Sequence, residues 1–492
     1  MAMTSRQAKF RRPGRPAFAL ALLLAAVLAG CTSTGQLSPQ ALSGETSKQA
    51  GSSPAVQREH QRILAAYGGE YENPRLQALV EHTVERLVAA SERPDLHYRV
   101  TILNSASVNA FALPTGQLYV TRGLAALAND TSELASVLSH EMAHVIARHA
   151  AIRENQARQV ALIDNVINKV LSDPETGALA LAKSKIALAS FSRSQEFEAD
   201  GIGVGISARA GFDPYGAERF LTSMGRHAEL KPLSSSGTDP HTLDFLSSHP
   251  ATPDRVKNAV DHARQHSAPS AGEKDKSDYL AGIDGLVFGE DPNEGFVRGR
   301  RYLHPKLGFT FTAPEGFTLD NTAQAVLGIK EGGGEVLRLD VVRVPAEQTL
   351  AEYLASGWIE NINKNSVEKV TINGFPAATA TAKSEQWSFR LYAVRFGSDV
   401  YRFVFATKRR TAESDRAFHN SIGSFRRMTL AEIEGAKPLH IKVVTVTPSD
   451  TISRLAARMA IADRPMQRFL VLNRLSPGQA LKPGDQVKIV VE

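Results

Sequence analysis

The sequence has a single cysteine, Cys31, in 492 residues. One thiol cannot form a disulfide within the chain, so the fold must be stable without that support. Long apolar runs are scarce as well. After residue 30, no run approaches the roughly 20 residues that a membrane-spanning helix needs.

Acidic side chains are absent from the first 30 residues. Five basic residues there precede the apolar run AFALALLLAAVLAG, which is the order of a secretory signal peptide. Removing those five charges lowers the formal net charge from +6 to +1. The basic balance therefore belongs to targeting, and we expect no nucleic-acid partner.

The apolar run ends in Leu28-Ala29-Gly30-Cys31, which resembles a bacterial lipobox. The resemblance implies that residues 1–30 are a lipoprotein signal peptide and that Cys31 becomes the lipid-bearing N-terminus. With Thr32 after the cysteine, it implies anchoring in the periplasm, at the inner leaflet of the outer membrane. The alternative is a free buried cysteine that follows an uncleaved anchor.

Changes in composition divide the rest of the chain. Residues 31–57 are rich in Ser, Gly and Gln and predict a flexible tether. Residues 58–265 predict a mainly α domain with a small β-sheet, and residues 266–299 a linker. Alternating patterns at 300–428 predict an antiparallel α+β domain, and 436–492 a small β-α-α-β domain.

The stretch HEMAHVIARHA, residues 140–150, holds three histidines and a glutamate. On a helix, His140 and His144 lie about 40° apart round the axis and share one face. Glu141 lies beside them, near enough to take a proton from a metal-activated water. On a continued helix His149 would lie about 180° from His140, so we exclude it as a ligand.

The segment SRSQEFEAD, residues 192–200, offers carboxylates for the same site. Glu196 and Asp200 lie four residues apart on a predicted helix and share one face. One can bind a metal while the other fixes the tautomer of a ligand histidine. Ordinary surface acids are the alternative, as nearby Glu198 illustrates. No strand precedes glycines 201, 203 and 205, so they predict a close helix contact rather than a dinucleotide loop.

Four motifs within residues 58–262 together resemble the HtpX/BepA-type zinc metallopeptidases, relatives of the CAAX prenyl endopeptidases. They are NAFALPTGQLYVTRGL, HEMAH, EFEAD and AGFDP. The resemblance implies a gluzincin-type domain and one Zn²⁺ per chain, bound by His140, His144 and Glu196. It also implies that Glu141 is the general base. Asp200 is implied to be a catalytic carboxylate behind the ligands, and a role as proton donor is suggested for it.

Two neutral imidazoles and a carboxylate leave zinc an open position for water, which suits peptide hydrolysis. The strand Asn109-Ala110-Phe111-Ala112 is predicted to bind an extended substrate as one more strand. An internal core strand is the alternative interpretation of these four residues.

The segment HPATPDR, residues 249–255, begins with a histidine that needs its own explanation. Thr252 and Pro253 are typical of a helix N-cap and first turn, but that pattern does not account for His249. Members of the family carry a similar His-Pro segment near the active site. We therefore predict that His249 is a fourth ligand that holds the enzyme latent. Arg255 either stabilises an oxyanion or pairs with a surface acid.

The C-terminal segment resembles a LysM module, the peptidoglycan-binding fold, in DTISRLA, Leu472-Asn473 and LKPGDQVKI. A degenerate structural cap is the alternative. Residues 300–428 are weakly similar to the PsbP/DcrB-like fold, which implies nothing about their role.

The leading functional hypothesis is a lipid-anchored periplasmic zinc endopeptidase. Its expected partners are unfolded or misassembled envelope proteins, the membrane through Cys31, and peptidoglycan. One alternative is a chaperone or assembly scaffold of the outer membrane with a mostly latent zinc site. Another is a peptidoglycan-binding envelope protein whose peptidase domain is incidental.

Overall fold

The computed structural model describes residues 53–153, 155, 191–230, 245, 249–269, 271–323, 325–356, 359, 361–461 and 463–492. These residues belong to one structural unit that runs from Lys48 to Glu492. The predicted signal peptide, the lipidation site Cys31 and the tether up to residue 52 lie outside them. Within the described residues, no helix combines the length and the apolarity needed to cross a membrane.

The N-terminal region consists of helices around a small sheet. Its helices are α1 (Pro54–Ala66), α2 (Pro74–Ala90), α3 (Arg122–Leu127), α4 (Thr131–Ile146), α5 (Arg193–Arg209), α6 (Gly216–Glu229), α7 (Pro253–His266) and α8 (Lys276–Ile283). Its strands are β1 (Arg99–Leu103), β2 (Ala110–Leu113) and β3 (Gln117–Thr121), in the order β1-β3-β2. Strands β2 and β3 form a hairpin, and among the described strands β2 has β3 as its single neighbour.

Helix α1 begins earlier than the sequence analysis predicted. The Ser53 side chain accepts a hydrogen bond from the Val56 amide, and Pro54 occupies the first turn. Ser followed by Pro is a favourable helix start. The Ser side chain accepts a hydrogen bond from a first-turn amide, and Pro has no amide hydrogen that would be left unpaired. The predicted tether, which extended to residue 57, is therefore wrong for residues 54–57.

Helix α4 is the central helix of this region, and it carries His140 and His144. The Asp130 side chain caps it by accepting a hydrogen bond from the Glu133 amide. Every residue from Thr131 to His144 is buried. The helix ends at Ile146, so the prediction that His149 lies on its far side is wrong.

Helices α4 and α5 pack closely because a glycine lies between them. A Cβ atom on Gly203 would lie 3.0 Å from the His140 amide nitrogen and 3.1 Å from its Cα atom. The prediction that this glycine segment allows a close helix contact is thus confirmed. The packing brings the first turn of α5, with Glu196, alongside the last turns of α4.

Residues 266–299 were predicted to be a linker, and this prediction is wrong. They contain α8 and the strands β4 (Val287–Phe288) and β5 (Phe296–Arg298). Tyr279, Leu280 and Ile283 of α8 are buried in the core, and the Tyr279 hydroxyl donates a hydrogen bond to the Ala125 carbonyl. The short apolar stretch YLAGI provides enough burial to fold against α2 despite its polar surroundings.

The middle region is β-rich, as predicted. Its remaining strands are β6 (Arg301–His304), β7 (Phe309–Thr312), β8 (Phe317–Asn321), β9 (Val326–Lys330), β10 (Glu335–Val342), β11 (Ile362–Ile372), β12 (Phe375–Lys383), β13 (Ser388–Phe396), β14 (Asp399–Thr407) and β15 (Arg426–Arg427). They form an antiparallel seven-stranded sheet, β11-β12-β13-β14-β10-β9-β8, and a four-stranded sheet with β5, β15-β7-β6-β5. Its helices are α9 (Leu350–Ala355), α10 (Ala412–Gly423) and α11 (Leu430–Gly435).

The C-terminal region has the predicted β-α-α-β order. Its elements are β16 (Leu439–Thr445), α12 (Ile452–Ala457), α13 (Pro465–Leu472) and β17 (Gln486–Val491). Strands β16 and β17 are antiparallel, and β4 pairs with the other edge of β16, where Phe288 lies opposite Leu439. A segment distant in sequence therefore completes the C-terminal sheet.

The C-terminal region packs directly on the helical region, which the sequence analysis did not predict. Hydrophobic side chains of both regions form one continuous cluster. The fully buried Lys488 donates to three carbonyls at the end of α3, those of Ala126, Leu127 and Ala128, at 2.8, 3.2 and 2.7 Å. Arg474 donates to Glu133 in the first turn of α4 at 2.7 Å.

We expect Gly203→Ala to lower the free energy of unfolding by about 1–3 kcal/mol, because the new methyl group meets backbone that cannot rotate away. Gly225→Ala in α6 is the matched control, since a Cβ atom there has nothing within 4 Å. That control should raise stability by about 0.4–1 kcal/mol. Urea denaturation measures both changes, and a Gly203→Ala protein as stable as wild type would contradict the close contact.

We expect the stability of wild type relative to Lys488→Met to rise as the pH rises from about 7 to about 10. Burial lowers the pKa of Lys488 to about 7 from an ordinary value of 10.5. In that pH window the unfolded chain binds a proton that the folded chain has released, so raising the pH favours folding. Urea denaturation at pH 7 and about pH 9.5 measures the free energy of unfolding of both proteins. The pH effects of all other titratable groups cancel in the difference between wild type and Lys488→Met. A flat or falling difference would contradict the lowered pKa.

Candidate metal centre

Four buried side chains meet at one point in the helical region. They are His140 and His144 from α4, Glu196 from α5 and His249 from the segment before α7. One ligand atom from each lies within 4.8 Å of all the others. The structure thus brings together the three predicted ligands and the predicted latch residue.

The distances among the donors of His140, His144 and Glu196 are close to those around a single tetrahedral ion. His140 Nε2 lies 3.0 Å from His144 Nε2, and the Glu196 oxygens lie 3.5 and 3.6 Å from these two nitrogens. Four atoms placed about 2.0–2.2 Å from a tetrahedral centre are roughly 3.3–3.6 Å apart. Imidazole nitrogens that face each other at this distance repel unless a proton or a cation lies between them. Nitrogen and carboxylate donors of this kind suit zinc.

His249 occupies the fourth side of the cluster. Its Nδ1 atom lies 2.9 Å from Glu196 Oε1 and 3.3 Å from His140 Nε2. Its ring stacks on Phe245 with the centroids 4.4 Å apart, and the residue is 3% exposed. Aromatic packing therefore holds this imidazole against the other three donors.

Glu141 lies beside the cluster and is also buried. Its Oε1 atom makes no hydrogen bond with any described residue, and His249 Nε2 lies 3.8 Å away. Burial raises the pKa of Glu141 above its ordinary value. A buried carboxylate with an unused oxygen and a raised pKa is suited to accept a proton.

Asp200 and Arg255 form a pair behind His140. Asp200 Oδ1 lies 3.0 Å from His140 Nδ1. The Arg255 guanidinium donates to both Asp200 oxygens, at 2.8 and 2.7 Å, and its Nη1 atom lies 2.7 Å from Glu196 Oε2. Although burial raises the pKa of Asp200, these contacts with Arg255 and His140 hold it below its usual range.

The prediction about Arg255 is therefore corrected. The Arg255 donors are directed at buried carboxylates, so in this arrangement the residue neither stabilises an oxyanion nor pairs with a surface acid. Asp200 faces the back of a ligand imidazole, and its suggested role as proton donor stays a prediction. Its contact with His140 agrees with the orienting role that the helix spacing suggested.

The pKa values of the histidines depend on which groups each ring meets. Burial lowers the pKa of His140, but contacts with Asp200 and Glu196 outweigh it and raise the pKa to about 9. Burial and the neighbouring His140 and His249 lower the pKa of His144. Although burial opposes it, hydrogen bonds from His140 and His249 lower the pKa of Glu196. The ionised Glu196 and the neutral His144 have the protonation states that a metal requires of its ligands, and His140 must release a proton when a metal binds.

The predicted substrate strand lies next to the metal cluster. Strand β2 packs against α4, and its outer edge has no partner among the described strands. Asn109 precedes the strand and donates to the Tyr67 hydroxyl at 2.8 Å. Ala110 is buried, and Phe111 packs on Tyr119 with the ring centroids 4.9 Å apart. Among the described strands β2 thus lies at the edge of its sheet, and substrate binding along it stays a prediction.

His149 is a buried residue that the sequence analysis excluded from the site. Its Nδ1 atom lies 2.9 Å from Nδ1 of His144, on the side of that ring away from the cluster. It is not among the four donors, in agreement with the prediction that it is not a ligand.

Comparison with known proteins agrees with this geometry. Residues 74–263 match the model described as peptidase family M48, and this range contains all four donors and Glu141. Residues 74–263 are thus similar to peptidase family M48 domains. A second match, to the LysM domain, covers residues 444–490 and confirms the module predicted at the C-terminus.

Curated relatives of the M48 domain are named proteases. The beta-barrel assembly-enhancing protease of Yersinia pestis is 27% identical over 55% of this chain and 57% of its own length. That of Escherichia coli strain K12 is 28% identical over 52% of this chain and 55% of its own. Mitochondrial metalloendopeptidase OMA1 of Saccharomyces cerevisiae is 32% identical over 33% of this chain and 46% of its own length. The chain thus spans about half the length of these relatives.

Solved structures give a weaker comparison. The solution structure of cyanobacterial PsbP from Synechocystis sp. PCC 6803 aligns with 28% of this chain and 98% of its own, at 15% identity. Its TM-score of 0.23 carries no argument about the middle region. The PsbP/DcrB-like fold of residues 300–428 stays a prediction.

Proposed function

We propose that this chain is a zinc-dependent endopeptidase of the cell envelope. The observation that carries the proposal is the buried group of His140, His144 and Glu196, beside which the Oε1 atom of Glu141 makes no hydrogen bond with any described residue. The M48 match and the names of the relatives support the same activity. Zinc held by the three ligands would supply a Lewis acid that polarises a peptide carbonyl and activates water.

Glu141 is the residue that moves the proton. Its free Oε1 atom accepts a proton from the attacking water, and the raised pKa lets the carboxyl hold that proton. The carboxyl then donates the proton to the leaving amine. Asp200 and Arg255 hold His140 and Glu196 in position while this happens.

His249 keeps the site latent by occupying the fourth donor position. Its imidazole lies 2.9 Å from Glu196 and 3.3 Å from His140, on the side from which a substrate carbonyl would have to approach a metal held by the three ligands. Activation therefore requires the segment before α7 to move away from α4. The stacking of His249 on Phe245 must be broken or carried along in that movement.

The substrate binds as a strand along residues 109–112, at the edge of β2 that has no partner among the described strands. An edge strand offers unpaired backbone groups, which bind any extended chain with little demand on its sequence. Unfolded or misassembled envelope proteins provide such chains. The relatives named beta-barrel assembly-enhancing proteases support this substrate class.

The two ends of the chain place the enzyme in the envelope. The lipid anchor at Cys31 holds it in the periplasm at the inner leaflet of the outer membrane. The LysM module binds peptidoglycan. Its contact with the M48 domain through Lys488 and Arg474 leaves the segments 447–451 and 476–485 largely exposed and accessible to a glycan.

A second candidate function is a chaperone or assembly scaffold with a zinc site that stays closed. The burial of the site favours it, because His140 and His144 are each 5% exposed and Glu196 is 2% exposed. Cleavage of casein separates the two functions. Zinc-loaded protein that never cleaves, even after His249 is removed, would be a scaffold.

We expect Glu141→Gln to lower the rate of casein cleavage by about 10²–10⁴-fold, because the amide cannot accept the proton. The zinc content, measured by mass spectrometry of the purified protein, should equal that of wild type. Glu229→Gln, at an exposed position in α6, is the control and should cleave at the wild-type rate. Undiminished cleavage by Glu141→Gln would rule out the assigned base.

We expect His249→Ala to retain zinc and to cleave casein faster than wild type, since three ligands remain and the fourth position opens. His266→Ala, at an exposed position in α7, is the matched control. The measurement is zinc content together with the cleavage rate. Loss of zinc from His249→Ala would show a structural ligand instead of a latch.

A further inference from the structure

The chain turns sharply after α4 and returns toward the metal cluster. The helix ends at Ile146, and Arg148 adopts a φ of 56°, in the left-handed region. A non-glycine residue pays a steric cost there, which persists only where the surroundings require the conformation. The result of this turn is that His149 lies beneath His144.

His149 contacts both a ligand imidazole and a carboxylate. Its Nδ1 atom lies 2.9 Å from His144 Nδ1, and its Nε2 atom lies 3.3 Å from Glu198 Oε2. The His149 side chain is fully buried, whereas that of Glu198 is 58% exposed. Phe191 stacks on the other face of His144, with the ring centroids 4.1 Å apart.

Metal binding determines where the protons of this chain of contacts lie. His144 Nε2 faces the cluster and gives its lone pair to the metal, so the ring proton is on Nδ1. That proton is donated to His149 Nδ1, which must therefore carry no proton. His149 then has its own proton on Nε2, facing the Glu198 carboxylate.

We propose that His149 is a positioning residue for the metal ligand His144, and that Glu198 fixes its tautomer. This inference rests on the zinc site proposed above. Through its acceptor nitrogen, His149 keeps the Nε2 lone pair of His144 directed at the metal. Partners of this kind orient ligand imidazoles and strengthen metal binding.

The two ligand histidines consequently have unlike partners. His140 faces the ionised Asp200, which is held by Arg255, whereas His144 faces a neutral imidazole. A carboxylate acceptor pulls more strongly on the ring proton than an imidazole does, so His140 is the more strongly donating ligand. A second carboxylate behind His144 would add another buried negative charge to a site that already holds Glu141, Glu196 and Asp200.

A pair of variants of similar shape separates positioning from space filling. Asn at position 149 retains an oxygen that accepts the His144 proton, whereas Leu has nearly the same volume and no acceptor. We expect His149→Leu to weaken zinc binding by about 10–100-fold and His149→Asn to stay within about threefold of wild type. Competition with a chromogenic chelator measures the dissociation constants on purified full-length protein.

Glu198→Ala should weaken zinc binding less than His149→Leu, because water can replace the exposed carboxylate as acceptor. Thermal unfolding of the zinc-free proteins should be alike for His149→Leu and His149→Asn. Equal losses of zinc affinity in these two variants would overturn the proposal, since the acceptor would then be irrelevant.

Zinc binding by His144→Ala distinguishes failure of this inference from failure of the proposed function. If His144→Ala binds zinc as tightly as wild type, the metal site itself is wrong. If His144→Ala loses zinc while His149→Leu binds it normally, the site stands and only the role of His149 is overturned.

Discussion

The close packing of α4 against α5 at Gly203 is the contact on which the site depends. Helix α4 provides the nitrogen donors, and α5 provides the Glu196 oxygens, so the separation of the two helices sets the size of the metal site. Ligand distances tolerate only a few tenths of an ångström, and a methyl group at position 203 would touch the backbone of His140 itself. The glycine is therefore as necessary to the site as the ligands, although it donates nothing to a metal.

The same packing buries several charges, and their balance explains the arrangement around the ligands. Arg255 lies against both Asp200 and Glu196, which offsets much of the cost of burying two carboxylates. Glu141 makes no such contact with Arg255, and burial raises its pKa. Asp200 and Glu196, which act as carboxylates, are thus paired with Arg255. Glu141, which must accept a proton, makes no ion pair with it.

Much of the site was predictable because local spacing determines it. The pairs His140/His144 and Glu196/Asp200 lie one turn apart, so helical geometry alone places each pair on one face. The position of His149 was not predictable, because it depends on a helix that ends at Ile146 without a glycine or proline to signal it. The pairing of Arg255 with buried acids was equally hidden, because it depends on how α7 packs against α5.

Elsewhere in the chain, composition was a poor guide to burial. The polar residues around YLAGI suggested a linker, although α8 forms part of the core. Lys488 alternates with apolar residues in β17, a pattern typical of a solvent-facing position, yet it is fully buried against the end of α3. Both errors have one cause: contacts between segments far apart in sequence decide burial, and a local pattern does not contain them.

The pairing of β4 with β16 has a consequence for the history and folding of the chain. Phe288 lies opposite Leu439, so the whole middle region begins and ends at one pair of neighbouring residues. The middle region is thus an insertion within a single sheet, of the kind that arises when one domain is placed inside another at closely spaced ends. Closing that long loop costs conformational entropy, so the LysM sheet is complete only after the inserted segment has been synthesised and its two ends have met.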